Sequence, residues 1–335
     1  MQAAIYGLEA LELNASERSF FRDADPAGFV LFKRNCETRD QLQVLTDSLR
    51  DLTGRADLPI LIDQEGGRVA RMKPPEWPAF PCAEKFALLY QAAPSSAIEA
   101  VRANARALAL MLRSVGVNVD ALPLLDVRQE GASDIIGDRA LGSQPMQVAA
   151  LGRAVLDGLA SAGVVGIVKH MPGHGRALVD SHKELPVVTA SADELESDLE
   201  PFERLSAAPM GMTAHVVYTA WDADRPASLS PVVIRDIIRE RIGFDGWLMS
   251  DDLGMEALQG DFADRAAGVV AAGCDVALHC SGKMDEMVAV ASAVPPMSSE
   301  GHERLARAMA ITRLDLDHVD FAEEIAKRDQ LLALA

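Results

Sequence analysis

The sequence predicts an α/β fold, a single-domain (β/α)8 TIM barrel over residues 1–335. Two observations carry that prediction. Eight short apolar runs alternate with helical stretches, and repeated strand–helix units imply a parallel sheet faced by helices. Polar or charged residues follow the runs directly: Asp63, Asp120, Lys169-His170, His215 and Asp251. In a closed barrel all these ends converge on one mouth. In an open doubly wound sheet, the alternative, they would be strung along an edge, and only those near the switch point could share a ligand. No linker, low-complexity tract or composition shift marks a second domain.

In chain order, residues 3–8 read as the first strand, and Ser16 caps a short helix through Phe21. Residues 28–32 are the second strand. Thr38-Arg39-Asp40-Gln41 has the form of a capping box. The helix it opens puts Leu42, Leu45, Leu49 and Leu52 on one face, and Gly54 stops it. Residues 58–62 form the third strand. Pro59 is tolerated near its start, where no ladder bond need be donated. The loop Asp63-Gln64-Glu65-Gly66-Gly67-Arg68-Val69-Ala70-Arg71 then carries two acids and two arginines. An Ala-rich helix at 97–112 leads to the fourth strand at 115–119 and to a loop holding Arg128, Asp134, Asp138 and Arg139. A helix at 147–162 precedes the fifth strand, 164–168. Ser191-Ala192-Asp193-Glu194 is a second capping box, opening a helix that Pro201 must kink or restart. Strands at 209–214, 246–250 and 274–278 complete the set, with helices at 232–242 and 264–271 between them and further helices from Lys283 on.

The formal net charge is −18, which argues against non-specific binding to nucleic acid or anionic membrane, because both need clustered Lys and Arg. The four cysteines, Cys36, Cys82, Cys274 and Cys280, contain no CxxC pair and fit a reducing compartment. The first residues have no basic n-region, and no apolar run approaches the ~20 residues of a membrane span. A cytoplasmic protein is expected.

The densest chemistry follows the fifth strand. Residues 169–186 hold three histidines, Asp180, Glu184, Lys169 and Lys183, broken by Gly and Pro. That reads as a loop at the C-terminal end of a strand, where parallel α/β folds place catalytic groups. Its Gly and Pro content at 172–175 suggests a mobile arm. Asp180 and His182 are two apart, so an extended chain would point both side chains the same way. An ordinary surface His beside an Asp would look the same. Asp251 ends the seventh strand. It or Asp252 is expected to cap the turn beginning at Leu253, which leaves the other for chemistry. A carboxylate at such a mouth can attack a sugar's anomeric carbon. His170 and His174 are four apart, as in helical zinc sites, but Pro172 and Gly173 intervene and no HExxH glutamate is present. Lys169, Arg71 and Arg139 are cations from three loops. Beside acids they suit a ligand with many hydroxyls, although surface salt bridging is the commoner fate of such residues.

Several motifs together resemble glycoside hydrolase family 3. They are Asp63-Gln64-Glu65-Gly66-Gly67-Arg68-Val69-x-Arg71, Lys169-His170-x-Pro172-Gly173-His174-Gly175, Asp180-Ser181-His182 and Ser250-Asp251-Asp252-Leu253. The subgroup they resemble is the bacterial β-N-acetylglucosaminidase of peptidoglycan recycling. The resemblance runs in order over most of the chain. It implies a (β/α)8 barrel and a retaining mechanism without metal or organic cofactor. It implies Asp251 as nucleophile and His182 as acid/base assisted by Asp180, with Asp63, Arg71, Arg139, Lys169 and His170 at sugar-binding positions. It also implies a cytoplasmic monomer acting on a small-molecule substrate, a muropeptide or another GlcNAc-terminated saccharide. Rival readings are a glycoside phosphorylase on the same scaffold, a zinc hydrolase using His170, His174 and His182, and a sugar-binding protein without turnover.

Overall fold

The computed structural model describes residues 1–181, 183–313 and 319–334. Eight parallel strands close into a barrel: β1 (Gln2–Gly7), β2 (Pro26–Leu31), β3 (Ile60–Ile62), β4 (Val119–Asp120), β5 (Val165–Met171), β6 (Met210–Thr213), β7 (Trp247–Asp252) and β8 (Val276–His279). Each pairs with its sequence neighbours, and β8 returns to β1, so no edge is left open. The strands are almost wholly buried because side chains fill the barrel on one face and meet helices on the other. The fold is the expected (β/α)8 barrel.

The helices follow from their caps and apolar stripes. Asn14, not Ser16, opens α1 (Ala15–Ala24); its side chain accepts the Glu17 N–H while Glu17 reaches back to the Asn14 N–H. Thr38 caps α2 (Arg39–Thr53) through the Gln41 N–H, but the Gln41 amide oxygen takes the Glu37 N–H instead of completing a box. Gly54 ends that helix at φ +66°, a left-handed conformation that favours glycine. After α3 (Ala83–Ala92), the Ala-rich α4 (Pro94–Arg113) and α5 (Pro145–Ser161) pack together; small residues on both allow a close approach. Ser191 and Glu194 form the expected box on α6 (Ala192–Arg204), which continues past Pro201 rather than restarting there. Residues Val233–Arg241 wind as a π-helix. Then come α7 (Phe262–Ala272), α8 (Met284–Ala293), α9 (Ser299–Met309) and α10 (Phe321–Leu332), which lies against α4. No helix among the described residues is long and apolar enough to cross a membrane.

Two differences from the sequence reading have local causes. The fourth strand begins at Val119 rather than at residue 115, because Gly116 takes φ +78° and the Val117 N–H turns back to the Leu112 carbonyl. The fifth strand runs on to Met171, so Lys169 and His170 lie in the strand and not in the loop after it. A small sheet of Val187–Val188, Val217–Tyr218 and Asp222–Pro226 sits outside the barrel; three such short, partly polar segments give no period to read.

The side chain of Asn118 does what the missing start of β4 cannot. Its Oδ1 accepts the Ile60 N–H at 2.8 Å and its Nδ2 donates to the Leu58 carbonyl at 2.9 Å, both buried. Asn118→Ala would strand both groups, and each buried orphan costs about 1–3 kcal/mol. The variant is expected to lose about 2 kcal/mol or more of unfolding free energy, read as a lower urea midpoint at unchanged m-value.

Candidate active site

The barrel mouth holds a cavity of about 240 Å³. Asp63, Glu65, Arg71, Arg139, Lys169, His170, His174, Ser181, Asp251 and Asp252 all line it. It therefore gathers six of the residues singled out in the sequence: Asp63, Arg71, Arg139, Lys169, His170 and Asp251. Asp180 is not among the lining residues. Its backbone carbonyl accepts the Lys183 and Glu184 N–H groups in a turn. His182 lies outside the described residues.

One wall is a line of alternating charge. Arg71 Nη2 meets Asp63 Oδ2 at 2.8 Å, and Lys169 Nζ meets Asp63 Oδ1 at 3.2 Å. Lys169 Nζ also meets Glu65 Oε1 at 2.7 Å. Arg139 grips Glu65 through Nε at 2.7 Å and Nη2 at 2.8 Å, a two-pronged contact that suits a planar guanidinium. The Lys169 and Glu65 side chains are 3% and 4% exposed. Burial opposes ionisation of Asp63 and Glu65. The adjacent cations outweigh it and hold both carboxyls below their ordinary range. These cations are salt-bridged, yet they line the cavity: Lys169 is buried, and Arg139 and Arg71 are partly so. Arg71 Nε is buried and has no partner among the described residues.

The loop carrying this wall is shaped by Gln64. Its side-chain oxygen accepts the Arg71 and Met72 N–H groups, and its amide donates to the Met72 carbonyl. Its own N–H is held by Asp120 Oδ1 at 3.0 Å. Asp120 is fully buried and pushed well above the usual carboxylate range, first by burial and further by Asp63 and Glu65. Arg68 fixes the opposing loop, donating to the carbonyls of Asp134, Ile135 and Ile136 and to Asp138.

A second centre is Asp126, which the sequence reading passed over. Its Oδ2 takes the His170 ring Nδ1–H at 2.8 Å, and its Oδ1 takes the backbone N–H groups of His170 and His174 at 3.1 and 2.7 Å. Those bonds and both imidazoles hold its carboxyl far below the ordinary range despite complete burial. The only signal in the sequence was an acid set among Leu124, Leu125 and Val127. The segment after β5 is pinned further. Tyr218 Oη donates to the Gly173 carbonyl, and Arg176 donates to Asp198, Ser197 and the Glu194 carbonyl of α6. A Cβ on Gly175 would collide with the Val127 carbonyl, so glycine is required there. Residues 172–177 are thus anchored at many points, and the expected mobility of His182 itself falls outside the described residues.

On the far wall, Asp252 Oδ1 takes the Gly254 and Cys280 N–H groups, so Asp252 is the residue that caps the turn. Asp251 Oδ1 accepts only the adjacent Asp252 N–H at 2.8 Å among the bonds described, and its carboxylate lines the cavity. Burial would raise its pKa. His170, His215, that N–H and Lys169 together bring it below the ordinary value. His215 is buried with its ring committed to Ser228 Oγ at 2.6 Å and the Asp252 carbonyl at 3.0 Å; it orients the strand end and is not among the lining residues. Among the described residues, no group of three His, Cys, Asp or Glu could hold a metal ion. His170 Nδ1 is engaged by Asp126 and His174 Nε2 by Ser181.

The model of the Glycosyl hydrolase family 3 N terminal domain matches residues 2–311. The chain belongs to glycosyl hydrolase family 3. A beta-hexosaminidase of Bordetella avium is 36% identical over 326 residues, 95% of this chain and 92% of that protein. The crystal structure of native NagZ from Neisseria gonorrhoeae superposes with a TM-score of 0.88 at 31% identity, covering 100% of this chain and 98% of that one. NagZ from the same organism in complex with N-trifluoroacetyl-D-glucosamine gives 0.86 at 31% identity, with the same coverage of 100% and 98%.

The charge line gives this family 3 barrel two testable properties. Lys169→Met leaves Asp63 and Glu65 facing one another without their shared cation, and breaking a buried pair costs about 3–5 kcal/mol; denaturant unfolding should show a loss on that scale. Asp63, Glu65 and Asp126 have folded-state pKa values below those of the unfolded chain. The stability they contribute is full above the unfolded carboxylate value of about 4 and drains away as pH falls through the lower folded values. The urea midpoint should therefore drop below about pH 4, and less steeply in Glu65→Gln. A level midpoint there contradicts the assignment.

Proposed function

We propose that this family 3 glycoside hydrolase is a retaining exo-β-N-acetylglucosaminidase. It removes non-reducing terminal GlcNAc from GlcNAc-1,6-anhydro-MurNAc peptides in cytoplasmic cell-wall recycling, and needs no metal. The observation that carries the reading is an ionised carboxylate, Asp251, lining the same cavity as the Arg71–Asp63–Lys169–Glu65–Arg139 line. The beta-hexosaminidase name of the Bordetella relative and the glucosamine derivative bound by the gonococcal protein support the choice of sugar.

In this reading Asp63 accepts from sugar hydroxyls, and Arg71, Lys169, His170 and Arg139 donate or stiffen the wall. Asp251 Oδ1 is engaged by the Asp252 N–H, so Oδ2 attacks the anomeric carbon. The bond to the aglycone oxygen breaks, and that oxygen takes a proton from His182, which Asp180 orients. The glycosyl–Asp251 ester has lost the negative charge. That favours neutral His182, which then removes a proton from water as the water attacks the same carbon and frees Asp251. Two inversions give retention.

Asp251→Asn is expected to lower kcat by about 10⁴-fold or more, the scale of losing an essential nucleophile. Hydrolysis of aryl N-acetyl-β-glucosaminide followed by NMR should give the β-anomer first, with aryl β-glucoside a poor substrate; an α-anomer as first product ends the reading. His182→Gln should fall far more on a phenyl leaving group than on dinitrophenyl, because a good leaving group needs little acid help. Release of GlcNAc from anhydro-muropeptide, measured by mass spectrometry with and without phosphate, tests the substrate and separates hydrolysis from phosphorolysis.

A further inference from the structure

The mechanism above uses neither His174 nor Ser181, yet both line the cavity. His174 is buried. Its backbone N–H is held by Asp126 at 2.7 Å, its ring Nε2 lies 3.1 Å from Ser181 Oγ, and its ring stands edge-on to His170 with centroids 5.7 Å apart. Its Nδ1 is buried and has no partner among the described residues. Burial, reinforced by the charge of His170, lowers its pKa to about 4, so it is neutral at the pH where the enzyme would work.

As a packing residue this histidine is a poor choice. An orphan ring nitrogen in a buried site costs about 1–3 kcal/mol, which an apolar side chain of similar volume would avoid. What the imidazole supplies and a leucine cannot is the bond to Ser181. That bond joins the pinned segment behind Asp126 to a residue seven positions on, across the exposed Leu178. In the sequence, Ser181 stands between Asp180 and His182.

We propose that His174 and Ser181 are positioning residues for proton transfer. Their side-chain bond ties Ser181, the sequence neighbour of Asp180 and His182, to the cavity wall built on Asp126. Neither carries the proton. The inference rests on the acid/base reading of His182, and it assigns the clasp a cost in rate when cut, because a misplaced acid loses part of the 10²–10⁴-fold that general acid catalysis contributes, to order of magnitude.

The test compares kcat/KM on phenyl and 2,4-dinitrophenyl N-acetyl-β-glucosaminides for the wild type, His182→Gln, Ser181→Ala, His174→Leu and His174→Gln. Ser181→Ala and His174→Leu should each lose about tenfold more on the phenyl than on the dinitrophenyl substrate. His174→Gln, whose amide nitrogen can stand near the position of Nε2, should recover part of that difference. A loss of equal size on both substrates, or none, overturns the proposal. Ser181→Ala removes one oxygen, so it keeps the test open if the His174 variants fold poorly, and urea midpoints check each protein. If His182→Gln itself shows no leaving-group split, the acid/base reading has failed. If it does and the clasp variants do not, only the clasp has failed.

Discussion

The ammonium of Lys169, held between Asp63 and Glu65, is the contact on which the mouth of the barrel depends. A lysine this deeply buried is tolerable only because two carboxylates meet it, and they are tolerable only because Arg71 and Arg139 meet them in turn. Such a line adds little net stability compared with an apolar packing of the same volume. Its value is geometric. Asp63, Lys169 and Glu65 each have their position fixed by two charged neighbours, and the line is ordered before any ligand arrives. Asp63 lies 106 residues before Lys169 in sequence, and the pairing of β3 and β5 with the two sides of β4 brings their ends together.

Asp126 plays the equivalent part for the segment after β5. One carboxylate takes two backbone N–H groups and one imidazole, all from within five residues of chain. That set of bonds turns a stretch rich in glycine and proline into a fixed wall. Gly175 serves contact, because it presses on the Val127 carbonyl with no room for a side chain, while Gly173 takes φ +132°, a conformation that favours glycine.

The barrel was legible in the sequence because its strands are almost wholly buried apolar runs, five of them leading into Asp63, Asp120, Lys169, His215 or Asp251. The site was legible for the same reason: charge after an apolar run is easy to see at Asp63, Lys169 and Asp251. Glu65 and Asp126 were harder. Their importance lies in partners far along the chain, and no local period reveals a partner. His215 illustrates the opposite error. It sits just beyond a strand like the others, but its ring is spent on Ser228 and the Asp252 carbonyl. The fourth strand was misplaced because a left-handed glycine interrupts an otherwise suitable run, and a single-residue conformation leaves hydrophobicity unchanged.

The seam between the first and last strands has a consequence for how the molecule is made. Gln2 and Ala3 bond to carbonyls at 291 and 295, and the Met297 N–H bonds to the Met1 carbonyl. A nascent chain carries β1 with one flank open until its partner in the barrel, Val276–His279, has been made. During translation that flank is an adhesive strand edge with nothing to cover it, and the cell's holding chaperones would meet it before its own partner does.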